Sequence, residues 1–382
     1  MCEVKNRVQF LNTINAVIRV TYDCNLRCKY CFLQHDGYDN HVLSEKVLER
    51  FCNITFPHYK IINLTWLGGE VTVIGLEKFS RFIGIVEEKA QFYGTKITNT
   101  IQSNASLLTR KFIEFLQSHD ISIGLSFDGL YNGILRGNTK HFFETKKCLD
   151  ELHIPVYVIN VVSGVNVDDL IENYNYLKDN GINVSLSPYM DVNSPCKELN
   201  MTLNQYVDAM CNLFDYWIKD SKCTIKLDPF ELMIRSYLRG RTLKCHPTCL
   251  KKWVGLAPDG TILPCGKEFP ADYHYGNVGN IDDIRDMYQS EGFMNLARAT
   301  LVRRKKCRKE CDIFDYCYGG CSLSALMSGN IENNDYFLCK AYRNIFKYII
   351  EKINGNDKIL LKENIVNPKL HNLIDLVHKT SV

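Results

Sequence analysis

Between Ile14 and about Pro188, short apolar runs alternate with longer stretches whose apolar positions recur at helical spacing. The runs Ala16–Val20, Ile61–Leu67, Lys96–Gln102, Ile121–Phe127, Val156–Val162 and Asn183–Ser187 are rich in Val, Ile and aromatic residues, which predicts strands of a buried parallel sheet. Helices are predicted over Ser44–Thr55, Leu76–Tyr93, Thr109–Ser118, Lys140–Glu151 and Asp168–Asp179, with start signals at Ser44 and Thr109 and a stop at Asn180-Gly181. Six strands, each followed by a helix or crossover, indicate an α/β fold with right-handed connections. Curled up, they make a partial (β/α)6 TIM-like barrel whose chemistry belongs at the C-terminal ends of its strands.

A helical bridge follows, with Thr202–Lys219 and Phe230–Leu238 both amphipathic. After about Lys244 the elements shorten, Gly and Pro punctuate, and cysteines cluster. Trp253–Ala257 and Thr261–Leu263 flank Pro258-Asp259-Gly260 and read as a hairpin. Ala341–Ile353 reads as a closing helix. The expected organisation is a barrel over 1–200, the bridge over 201–240, a cysteine-rich domain over 241–340, and a C-terminal helix and tail over 341–382. With 46 basic against 43 acidic residues the net charge is +3, which points to neither a nucleic-acid partner nor a polyanionic tail. No apolar run approaches the ~20 residues that span a bilayer, and the N-terminus lacks a secretory pattern, so a cytoplasmic protein without a membrane partner is expected.

Seventeen cysteines are far more than a chain of this size usually carries. A disulfide scaffold is the alternative, but such scaffolds are small and exported; in a reducing compartment, cysteines at short spacings are metal ligands. Just past the first strand lies Cys24-x3-Cys28-x2-Cys31. Three thiolates on one tight loop can hold three irons of a [4Fe–4S] cube and leave the fourth open, or serve zinc together with a distant histidine.

With Tyr30 before its third cysteine, this run resembles the signature of the radical S-adenosylmethionine (SAM) superfamily. The resemblance implies that Cys24, Cys28 and Cys31 each bind an iron and that SAM occupies the fourth. Reductive cleavage of SAM would then yield a 5′-deoxyadenosyl radical that abstracts hydrogen from substrate. Further matches follow in order after successive strands. Gly68-Gly69-Glu70 resembles the motif that contacts the SAM amino group, with Val71 where the family often has Pro. Gln102-Ser103-Asn104 resembles a segment near the SAM site, and Ser126-Phe127-Asp128-Gly129 one near the ribose or substrate. Arg136-Gly137-Asn138 resembles a segment whose arginine pairs with the SAM carboxylate. Each alone also reads as an ordinary turn or surface residue.

The C-terminal cysteines resemble a SPASM domain with two auxiliary [4Fe–4S] clusters. By resemblance one would use Cys245, Cys249, Cys265 and Cys321, the other Cys307, Cys311, Cys317 and Cys339, making three clusters in all. The step from Cys307 to Cys311 carries one residue more than the family spacing. Two zinc sites, each of four cysteines, are the alternative reading of the same eight residues. An external electron donor such as flavodoxin or ferredoxin is implied. Of the six other cysteines, Cys52 and Cys148 read as buried apolar residues, Cys2, Cys211 and Cys223 carry no assignment, and Cys196 reads as either a loop residue or a hydrogen donor at the active site.

Barrel plus SPASM domain implies a peptide or protein substrate, modified oxidatively or crosslinked, as in the maturation of ribosomally made peptides. The alternatives are dehydrogenation of a small molecule, formylglycine formation as in anaerobic sulfatase maturation, and a non-catalytic zinc or electron-transfer protein. Sulfatase-maturating enzymes carry an Asp immediately after the cysteine matching Cys265; here Gly266 stands there, with Glu268 and Asp272 as either substitutes or solvated hairpin charges. The fifteen or so residues before the first strand leave no room for a winged-helix recognition domain. The run Arg303-Arg304-Lys305-Lys306, with Arg308 and Lys309, reads as a solvated basic end to a helical region over Asp282–Ala299, or as a site for an acidic leader.

Overall fold

A computed structural model describes residues 11–33, 41–190, 196–240, 243 and 249–355. The strands are β1 (Thr13–Arg19), β2 (Ile61–Leu67), β3 (Lys96–Ser103), β4 (Ile121–Ser126), β5 (Tyr157–Val162), β6 (Asn183–Pro188), β7 (Leu227–Asp228), β8 (Trp253–Leu256), β9 (Thr261–Leu263) and β10 (Gly276–Asn277). The main helices are α1 (Glu45–Thr55), α2 (Gly75–Tyr93), α3 (Arg110–Ser118), α4 (Thr139–Glu151), α5 (Leu170–Asp179), α6 (Leu203–Lys219), α7 (Phe230–Arg239), α8 (Glu291–Glu310), α9 (Ser322–Met327) and α10 (Phe337–Asn354). All six expected strands form, within a residue or two except at the start of β1. Ser44 and Thr109 cap α1 and α3 by accepting from Val47 N and Phe112 N, satisfying amides that the first turn leaves open.

The chain divides into two compact units. The first comprises residues up to Asn25, Leu33–Gly124 and Pro247–Arg298. Its strands run β10-β9-β8-β1-β2-β3, with β1, β2 and β3 parallel. The β8–β9 hairpin forms as expected, with Gly255 opposite Leu263. It also extends the sheet, since β8 pairs in parallel with β1 from Asn15 opposite Trp253 to Ile18 opposite Leu256. Trp66 on β2 anchors the helical layer: it is wholly buried, meets Phe79 edge-on at 5.6 Å and stacks on Phe82 at 6.3 Å.

The second unit comprises Leu26–Phe32, Leu125–His246 and the chain from Ala299. There β5 pairs in parallel with β4, β6 with β5, and β7 with β6. Phe127 stacks on Phe142 of α4 at 3.7 Å. Tyr206 and Phe214 of α6 meet Phe337 and Tyr348 of α10 at 5.9 and 6.4 Å, so the closing helix is held by aromatic packing.

One helical expectation is corrected. Asp282–Ala299 is a 3-10 segment, Ile284–Gln289, followed by a break and then α8, which runs on to Glu310. Ser290 causes the break: its hydroxyl accepts from Phe293 N at 3.1 Å and starts a new helix. The basic run therefore lies inside α8 and does not follow a helix end. No described helix is long and apolar enough to cross a membrane.

Candidate active site and cysteine centres

In the first unit, the approach to Cys24 is strapped to the end of β2. Gly69 N donates to Thr21 O at 2.9 Å and Glu70 N to Asp23 O at 2.8 Å. A Cβ on Gly68 would stand 2.4 Å from Thr21 O, and one on Gly69 2.2 Å from Asp23 O. Both positions need glycine because the cysteine-bearing chain runs against them. Glu70 is wholly buried and its carboxylate accepts from Thr72 Oγ1 at 2.6 Å, Thr72 N at 3.0 Å, Ser103 Oγ at 2.8 Å and Asn104 N at 2.6 Å. Burial pushes its pKa up, and these donors pull the other way. Glu70 thereby fixes the end of β3 and holds Asn104, whose Nδ2 stands 3.7 Å from Cys24 Sγ and donates to Asn25 Oδ1 at 3.0 Å.

In the second unit, Cys28, Tyr30, Asp128 and Arg136 form one constellation. Asp128 is fully buried just past β4. Its Oδ2 accepts from Tyr30 OH at 2.5 Å and from Arg136 Nε at 2.8 Å, while Oδ1 accepts from Val161 N at 2.8 Å. The Arg136 guanidinium lies 5.1 Å from the Tyr30 ring, with Nη1 4.0 Å from Cys28 Sγ. Burial opposes the charge on Arg136, but Asp128, Tyr30 and Cys28 outweigh it and hold the side chain firmly protonated. Burial also drives the Tyr30 hydroxyl up, so it is a standing donor to Asp128. A permanent cation thus stands beside Cys28. Ser126 ends β4 opposite Ile159.

Among the described residues no two cysteines are joined in a disulfide. Cys307, Cys311, Cys317 and Cys339 share a neighbourhood in which their charges act on one another: burial first, and then the neighbouring cysteines, raise Cys317 to about 11 and Cys339 to about 12. The amides of Gly319 and Gly320 work in the other direction at Cys317. Such a set is unfavourable as four empty thiolates and fits a cationic cluster that neutralises them. Cys249 and Cys265 both act on Tyr275, whose hydroxyl is buried without a hydrogen-bond partner among the described residues. An orphaned donor beside two thiols fits a bound group with acceptor sulfurs. Cys321 lies near Tyr336, which donates to Cys321 O at 3.4 Å. Cys2 and Cys245 lie outside the described residues. Among the described residues no three His, Cys, Asp or Glu side chains are set to hold a single metal ion.

Two readings of charged residues are corrected. Glu268 is not a solvated hairpin charge: it is ion-paired with Arg19, and the two side chains are 13% and 2% exposed. Arg19 ends β1, and its Nη2 also donates to Gly266 O at 3.1 Å. A lone arginine in an apolar strand run was the available signal, since a buried cation needs a counter-charge. Arg303 is not solvated either. It is fully buried, donating to Gly319 O at 2.8 Å, to Ser322 Oγ at 2.8 Å and to Ile331 O, which leaves only Lys305, Lys306, Arg308 and Lys309 exposed. Asp272 is exposed. Cys52 is buried as expected, whereas Cys148 is half-buried. Cys196 is half-buried and packs, as Tyr30 does, against Leu135, Tyr189 and Leu199.

Gly266 is closed to the sulfatase-type base. A Cβ there would stand 2.6 Å from Val17 Cγ1 and 3.1 Å from Val17 Cβ on buried β1. Gly266→Asp is accordingly expected to cost about 1–3 kcal/mol by overpacking, read as a lower midpoint in denaturant unfolding. A variant as stable as the parent would show that β1 yields there.

Residues 18–190 match the family model of the Radical SAM superfamily. The chain is 24% identical over 361 residues to a cysteine-type anaerobic sulfatase-maturating enzyme of Clostridium perfringens, covering 86% of this chain and 94% of the relative. Its fold is that of native anSMEcpe with bound AdoMet and Cp18Cys peptide: TM-score 0.76, 18% identity, 97% of this chain and 100% of that one. It is also similar to Streptococcus suis SuiB bound to precursor peptide SuiA, at TM-score 0.61 and 19% identity over 86% and 76% of the two chains. These likenesses show a mixed α/β fold with a parallel sheet, and the C-terminal part of the chain is rich in cysteine.

Proposed function

We propose, from the match of residues 18–190 to the family model of the Radical SAM superfamily, that the chain removes a hydrogen atom from a peptide or protein substrate, giving an oxidative modification or crosslink. The chemistry supplied by a [4Fe–4S] cluster with SAM is reductive cleavage to a 5′-deoxyadenosyl radical. Cys24, Cys28 and Cys31 would hold that cluster. Glu70 positions Asn104 beside Cys24; Asp128 holds Tyr30 and Arg136, and Arg136 faces Cys28. Gly68, Gly69 and Ser126 would line the SAM site with them. Cys245, Cys249, Cys265 and Cys321 would hold one auxiliary cluster, and Cys307, Cys311, Cys317 and Cys339 the other.

The observation that carries this reading is the buried Cys28–Arg136–Asp128–Tyr30 constellation. It links a candidate cluster thiol to the motif residue at the end of β4. A peptide substrate is supported by relatives with bound peptides, and formylglycine formation is disfavoured because Gly266 stands where the sulfatase-type base is expected. Electrons would come from a flavodoxin or ferredoxin, in keeping with a cytoplasmic location.

Anaerobic incubation of the reduced, iron-loaded protein with SAM and candidate precursor peptides tests the proposal. The expected result is peptide-dependent 5′-deoxyadenosine together with a mass change on the peptide; deoxyadenosine without any peptide change across such precursors would overturn it. Iron content tests the three-cluster assignment. About twelve irons per chain are expected, falling to about eight in Cys317→Ala, since each four-cysteine set holds four. Zinc in place of iron would contradict it.

A further inference from the structure

The second unit contains a cavity of about 210 Å³ that the proposed chemistry does not use. Tyr189 and Met190, just past β6, form one wall; Met201 comes from the start of the bridge, Ser324 and Met327 from α9, and Tyr336 from the entry to α10. Among the described residues no charged side chain lines it. Three of the chain's eight methionines meet here. Of the other described ones, Met210, Met233 and Met287 are fully buried and Met294 is half-exposed. Methionine walls adapt their shape and make favourable sulfur–aromatic contacts. Ser324 Oγ donates to Met190 Sδ at 3.2 Å, so even the polar wall is turned toward sulfur.

Wall residues on two sides of the cavity pack toward cysteine-bearing segments of this unit. Tyr189 belongs to the buried cluster with Leu135 and Leu199 against which Tyr30 of the cysteine loop packs. Tyr336 lies beside Cys317, Cys321 and Cys339. A dry cavity of about 150 Å³ accepts benzene, so this one has room for a single aromatic side chain. Its buried tyrosine rings offer edge and face contacts to such a group, while an unpaired charge would be costly among these walls.

We propose that this cavity receives a neutral aromatic side chain of the substrate, next to the residue that reacts. The inference rests on the peptide reading, yet its test does not require turnover. Iron-loaded protein labelled at the methionine methyls would be titrated with N-acetyl-tryptophanamide and, separately, with N-acetyl-lysinamide, and followed by NMR. The expected result is saturable shifts of Met190, Met201 and Met327 with the tryptophan probe alone, with Met294 unmoved. Filling the cavity by Met327→Trp, or by the milder Met327→Phe, should remove the shifts. No shift with tryptophanamide, equal shifts with lysinamide, or shifts that survive in a folded filled variant would each overturn the proposal. A protein that binds the probe but leaves every peptide unmodified would sink the peptide reading and leave the cavity's preference intact.

Discussion

Cys28→Ala is expected to reduce 5′-deoxyadenosine formation from SAM to background, the largest effect of any single substitution considered. Cys28 is buried, and the cation of Arg136 stands 4.0 Å from its sulfur. Removing it would take away one of the three thiols proposed to hold the catalytic cluster. Two thiolates cannot hold a four-iron cube that needs three protein ligands and one open position. The reference substitution is Cys52→Ala on α1. That thiol is buried, and burial drives it far above the ordinary range, so it behaves as a small apolar side chain. Cleavage that persists in Cys28→Ala, or is lost equally in Cys52→Ala, would contradict the assignment.

The second large effect is expected at Asp128, where Asp128→Asn should destabilise the protein by about 3–5 kcal/mol, the usual consequence of leaving one member of a buried ion pair uncompensated. Asp128 is fully buried and Arg136 is 9% exposed. The neutral amide would leave the guanidinium without a counter-charge and weaken the Tyr30 hydrogen bond as well. Denaturant unfolding reads the loss of stability. Deoxyadenosine formation should fall with it, because Arg136 is then no longer held beside Cys28. If stability and SAM cleavage both survive, the constellation is not the organising element proposed.

Much of the barrel was legible in the sequence because local signals and tertiary needs agree there. The apolar runs that became β2 and β5 could be buried only as strands, and Ser44 and Thr109 announced helix starts whose amides needed acceptors. The motif residues were legible as spacing, but their partners were not. Nothing local reveals that the Glu70 carboxylate takes four donors from two segments, or that Asp128 bonds Tyr30 across 98 positions of chain. The same limit explains the misread charges. Arg303 stands in a basic run and reads as part of it, although its acceptors are two backbone carbonyls and a serine hydroxyl supplied 16 to 28 residues later. Glu268 likewise meets its cation from a strand some 250 residues earlier. The sequence reports which residue stands at 266; that Val17 leaves no space for any other emerges only from the packed sheet. The methionine-lined cavity was invisible for a related reason, since its walls come from separate segments that carry no common motif.

Electron paramagnetic resonance of the reduced, anaerobically prepared protein, recorded with and without SAM, tests the central claim most directly. If one iron of the N-terminal centre is open to SAM, adding SAM changes the signal of one reduced cluster and leaves the signals of the fully ligated ones unaltered. A spectrum that SAM does not touch, in a protein whose iron content is complete, would contradict it.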